Sequence, residues 1–200
     1  MFSNKPIIER AKEGLGKEIL QMLSSTIPES SNGCHPDTLL HEFLENSLRE
    51  LAQQRPFRKQ SLLRIGPDGF VPLPSNVISV ESIWHKGNRL VEKKSPRGLT
   101  TSEYHIDASA KIIRVATQLR GTIEINSTII PKEGDVTGEA RRTLVLHVKA
   151  QSCEYIAQKL KTNPSIKSPK GKYALNNPAT WEREAHILRQ RFSEAVRTIG

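Results

Sequence analysis

Two carboxylates and a lysine form the only pattern in this chain that could do chemistry. Pro67-Asp68 followed by Glu92-Lys93-Lys94 has the form PD…ExK. In that arrangement two carboxylates hold a divalent cation and the lysine orients the attacking water. The chemistry needs Asp at the end of one strand and Glu-x-Lys on its neighbour. Here Asp68 lies within Gly66-Pro67-Asp68-Gly69, a composition sufficient as a turn, and Glu92 falls where a hairpin runs out. Three positions with free spacing recur by chance, so the sequence argues against a metal-dependent nuclease. The remaining inventory is thin. His35, His41, His85, His105, His147 and His186 are scattered, and none stands at ligand spacing from another His or from Cys34 or Cys153. Phosphate-loop, dinucleotide-binding, nucleophile-elbow and zinc-protease motifs are all missing. The expectation is no catalytic residue, no metal site, no cofactor and no enzymatic activity.

Charge points elsewhere. The net charge is +9 over 200 residues. From residue 139 onward 12 Lys and Arg face 5 Glu, so +7 lies there and only +2 before it. A basic half suits a polyanion or an acidic protein surface. Two distant cysteines make no disulfide framework, which fits a reducing compartment. No apolar run approaches the roughly 20 residues of a membrane span, and Glu9 and Glu13 make the first segment unlike a secretory signal.

The elements that position these residues read as α+β: a helical bundle with an inserted small antiparallel β-sheet or sandwich. Residues 1–36 read as an N-terminal arm. Asn4 is its expected cap, Ile8, Ala11, Leu15, Ile19 and Met22 form its stripe, and Gly14 and Gly16 weaken it, so that it orders against a partner. Residues 37–60 read as the helical part of the core, capped by Asp37, lined by Leu40, Phe43, Leu44, Leu48 and Leu51, and stopped by Pro56. Residues 61–131 read as the β-block. It opens with a short strand over 61–65. One hairpin turns at Gly87-Asn88 and another at Ala108-Ser109-Ala110, and a last strand over 122–130 turns Ile123 and Ile125 inward. Residues 132–160 hold a long core helix, with Thr137 as its cap. Residues 161–200 read as a basic loop and a C-terminal docking helix starting at Thr180.

The run Phe70-Val71-Pro72-Leu73-Pro74-Ser75-Asn76-Val77-Ile78-Ser79-Val80-Glu81-Ser82-Ile83-Trp84, with Gly87 and Asn88 after it, resembles the start of the β-block in phage head–tail adaptor (connector) proteins. The order of elements over 37–197 is similar too, from the Leu-rich helix through the β-block to the helix at Trp181. The resemblance implies a structural subunit of the virion neck, assembled in the host cytoplasm. Such subunits form homo-oligomeric rings, commonly of twelve copies, beneath the portal protein. They extend the channel for genomic DNA and dock the next tail or nozzle protein. The family has no catalytic residues to carry over.

Two groups of residues follow as expected contacts. Trp181, Leu188 and Phe192, with Arg189 and Arg191, form a partner-binding face on the last helix. Lys161, Lys167, Lys170 and Lys172 form an electrostatic contact, with no acid among them. The alternative function is a basic nucleic-acid-binding protein, although exposed aromatics for base stacking are few in that third of the chain.

Overall fold

The computed structural model describes residues 6–27, 35–136, 138–163, 165–166 and 173–199. The expected caps Asn4 and Thr137, and Lys167, Lys170 and Lys172, lie outside them. The protein is α+β and divides into two units, Met1–Arg55 with Lys132–Gly200 and, inserted between them, Pro56–Pro131. The β-unit therefore begins at Pro56 and not at 61. Arg55 caps α2 with its N–H on Leu51 O, and the proline after it cannot extend the helix.

The first unit holds four helices: α1 (Ile7–Thr26), α2 (Pro36–Gln54), α3 (Gly138–Thr162) and α4 (Pro178–Thr198). Three helix starts differ from the sequence reading, that of α1 lying downstream of the expected Asn4 and those of α2 and α4 upstream of the expected Asp37 and Thr180. Pro6 occupies the N-cap of α1, His35 that of α2 and Asn177 that of α4. His35 Nδ1 accepts from Asp37 N at 3.3 Å, and Asn177 Oδ1 accepts from Ala179 N at 3.0 Å. In both helices the next residue is proline, whose missing N–H is one the helix would leave unpaired anyway. Asp37 sits in the first turn of α2, where Lys12 of α1 reaches it at 2.6 Å. That hydrogen bond holds the Asp37 carboxyl below its usual range.

The N-terminal segment is not a free arm. Ile7, Ile8, Ala11, Leu15, Met22 and Leu23 are buried, and α1 packs on α3 within its own unit. Its backbone breaks at Gly16 (φ 74°, ψ 156°), a conformation that a side chain disfavours. The break lets two short amphipathic halves each turn an apolar face inward.

α3 is the axis of this unit and touches α1, α2 and α4. Beyond the expected Leu144, Val148, Ser152, Ile156 and Leu160 it buries Thr143, His147, Ala150, Cys153 and Ala157. Val145 and Tyr155, expected in the stripe, are only half-buried. A helix surrounded on several sides needs small residues as well as a stripe, because helix axes approach to about 8–10 Å.

The second unit is a sandwich of two four-stranded sheets. Its strands are β1 (Phe57–Arg64), β2 (Phe70–Pro72), β3 (Val77–His85), β4 (Asn88–Arg89), β5 (Val91–Glu92), β6 (Glu103–Asp107), β7 (Ile112–Val115) and β8 (Thr122–Ile129). One sheet has the order β1-β8-β3-β4 and the other β2-β7-β6-β5. Val71, Ile83, Ile113, Ile123 and Ile125 are fully buried in one core with Ile65, Leu90 and Tyr104, and Val80 packs against it. Burying each large aliphatic side chain contributes about 1.5–3 kcal/mol.

Three details differ from the sequence reading. The opening strand is eight residues long and starts at Phe57, because Ser61 and Leu63 pair with the inward Ile125 and Ile123. The first hairpin turns at Lys86-Gly87, one residue early. Both have positive φ (49° and 80°), as a two-residue hairpin turn requires. The unit is also not wholly antiparallel, since β5 pairs parallel with β6 after the chain crosses between sheets at the buried Leu90.

Candidate interaction surface

The carboxylates of the PD…ExK pattern do not meet. Asp68 lies in the turn leading into β2, where Gly69 N closes onto Gly66 O at 3.1 Å. Glu92 lies on β5. β2 and β5 are opposite edges of one sheet, with β7 and β6 between them. Three inter-strand steps separate such positions by about 14 Å, too far to share an ion. Among the described residues no three His, Cys, Asp or Glu side chains converge as a metal site.

One buried polar cluster does resemble a nucleophile and base. His147 Nδ1 and Ser47 Oγ lie 3.0 Å apart between α3 and α2. Ser47 Oγ donates to Phe43 O at 2.6 Å, and Gln151 Nε2 donates to the same carbonyl at 3.0 Å. The His147 ring also packs on Phe192 of α4, with centroids 4.3 Å apart. Ser47 and His147 are buried, and among the described residues no carboxylate bonds the imidazole and Nε2 has no hydrogen-bond partner. Burial lowers the His147 pKa to about 4 and keeps the ring neutral. The cluster joins three helices in the interior of the bundle. Cys153, also buried, has its thiol pushed up to about 12, mainly by burial, which keeps it protonated at neutral pH.

The face expected to bind a partner on α4 is core. Trp181, Leu188 and Phe192 are 4%, 5% and 2% exposed. They are spent on the bundle, where α4 packs most extensively on α3, and Trp181 Nε1 donates to Leu175 O at 2.8 Å. Arg189 is held by Glu154 of α3 through a two-pronged ion pair, one arm at 2.7 Å. Arg191 is exposed. Lys161 is not in a loop but in the last turn of α3, where it pairs with Glu182.

Exposed apolar surface lies elsewhere. On the outer face of the first sheet, β1 points Arg58, Gln60, Leu62 and Arg64 to solvent, opposite Thr128, Asn126, Glu124 and Thr122 of β8. Leu62 is 70% exposed. Leu62, Glu124 and Trp84 form one row across β1, β8 and β3. A shallow cavity of about 470 Å³ lies over this row, lined by Leu62, Trp84, Glu124, Thr122, Lys86 and Gly87. Gln60 bonds Glu124, and Arg58 pairs with Glu81 at 3.0 Å. The sequence reading ends the helix at Pro56 and starts the strand only at 61, so residues 57–60 of this surface fall outside it. From Ser61 on, β1 alternates half-buried and exposed residues, Ser61 and Leu63 lying between exposed neighbours.

The helical unit has an apolar hollow of its own. Where α1 breaks at Gly16, a cavity of about 500 Å³ opens against the start of α4. Leu15, Ile19, Leu175 and Trp181 form its floor, and Lys17, Glu18 and Glu184 its rim. No helix among the described residues is long and apolar enough to cross a membrane. Compared with known families and curated proteins, the sequence matches no family model and no curated protein.

Proposed function

We propose that this chain is a structural head–tail adaptor subunit. It forms a ring under a phage portal, extends the DNA channel and carries the next tail component. The observation that carries the reading is the inserted sandwich: a self-contained β-unit within a four-helix unit, in the element order that the sequence resemblance implies. The β-unit turns an apolar and basic sheet face to solvent, whereas the helices consume their apolar stripes internally. The separation of Asp68, in the turn before β2, from Glu92 on the far edge strand β5 supports a role in contacts over one in turnover. Ring closure needs heterologous contacts between different patches of identical chains. The net charge of +9 suits a subunit that lines a nucleic-acid channel.

Size-exclusion chromatography with mass measurement tests the reading on the full chain, alone and mixed with a portal protein. A closed oligomer, or one formed on the portal, is the expected result. A monomer under both conditions that shifts DNA in a salt-sensitive way would favour the nucleic-acid-binding alternative. Metal-dependent DNA cleavage lost in Asp68→Ala/Glu92→Ala would overturn both.

A further inference from the structure

We infer that Leu62 of one copy seats in the apolar hollow at the α1 break of the next copy, joining subunits head to tail. The inference rests on the ring reading and supplies its interface. Leu62 is the most exposed of the large apolar side chains among the described residues, at 70%. It stands on β1, an edge strand, so its own sheet covers only one flank. A protruding leucine on an edge strand is a knob without a hole in its own sheet. The hollow on α1 and α4 is the converse, a concave site of about 500 Å³ floored by Leu15, Ile19, Leu175 and Trp181.

Charge selects the pairing. On β1 the knob is flanked by Arg58 and Arg64, of which Arg58 also contacts Glu81. Around the hollow stand Glu18 and Glu184, with Lys17 the opposing cation. Over the larger surfaces the hollow's elements are the less basic. Residues 56–131 carry 11 Lys and Arg against 6 Asp and Glu, whereas α1 and α4, which line the hollow, carry 7 against 6. A symmetric contact of Leu62 on Leu62 would set Arg58 and Arg64 of both copies against each other, which like-charge repulsion disfavours. Knob and hollow are different patches of one chain, so their union repeats from copy to copy and closes as a ring where the rotation allows.

The test uses the full chain and mass photometry, with a circular-dichroism melt on each variant to show that the fold is kept. Leu62→Asp should weaken self-association at least tenfold. Arg64→Glu and Glu184→Lys should each weaken it, most strongly at low salt, and Arg64→Glu/Glu184→Lys in one chain should recover it. Mixing Leu62→Asp chains with Glu18→Lys/Glu184→Lys chains should give heterodimers that grow no further, because each pair keeps one intact contact. Rings unchanged in Leu62→Asp would overturn this interface and leave the ring reading standing. Wild-type chains that stay monomeric with and without a portal protein would overturn both. Salt-sensitive binding of a single-stranded oligonucleotide that Leu62→Asp abolishes would assign the surface to nucleic acid instead.

Discussion

The two units of this protein treat apolar surface in opposite ways. The helical unit buries its stripes. α3 is enclosed by α1, α2 and α4, and even Trp181 of α4 is 4% exposed. The β-unit closes its own core around Ile83, Ile113, Ile123 and Ile125, yet it leaves Leu62, Ile78, Val91 and Phe70 in solvent. An apolar residue on a helix stripe therefore says little about partners, because a neighbouring helix claims it. An apolar residue on the outer face of a two-layer sandwich has no third layer to cover it. Contact surfaces are more legible on the sandwich than on the bundle.

Deleting residues 178–200 is the most direct way to break that comparison. If α4 is core, the truncated protein loses cooperative helical unfolding by circular dichroism. A truncated chain that keeps its melting temperature but fails to assemble would restore α4 as a docking element. Phe192→Ala is a milder form of the same test. It removes a ring that packs on His147 and should cost about 3–5 kcal/mol in denaturant melts.

Ile125→Ala probes the other core. It should cost about 2–5 kcal/mol, and a loss below about 0.5 kcal/mol would show the strand phase to be wrong.

Acid distinguishes the units further. The folded-state His147 pKa is lowered to about 4 from 6.5, mainly by burial, so the folded state resists protonation while the unfolded state accepts it. The stability of the helical unit is full above about pH 6.5 and falls as pH drops toward 4. The slope is at most about 1.4 kcal/mol per pH unit. Arg189, Glu50 and Glu154 also act on the ring, the arginine lowering and the carboxylates raising its pKa. In His147→Gln the slope attributed to this residue should vanish, with the melt of the β-unit as internal control. An unchanged slope would place the titration elsewhere.

Leu62→Ala has the smallest expected effect on folding, within about 0.5 kcal/mol as for a surface substitution. A large loss would mean that the leucine is part of its own fold and not of a contact.

Local sequence pattern accounts for part of this structure. Residue periodicity placed all four helices, the leucine stripe of α2, the inward Ile123 and Ile125, and the turn at Gly66-Pro67-Asp68-Gly69. Tertiary structure alone decided which stripes face which neighbours. Nothing local distinguishes Trp181, Leu188 and Phe192 packing on α3 from the same three facing another molecule. His147 reads as a scattered histidine until Ser47, 100 positions away, closes on it. The breadth of burial around α3 was hidden because Ala150, Cys153 and Ala157 carry too little apolar surface to mark a face. Leu62 was hidden for the opposite reason. Its partner strand β8 lies some 60 residues downstream, and only the register Leu62↔Glu124 turns that leucine away from the core.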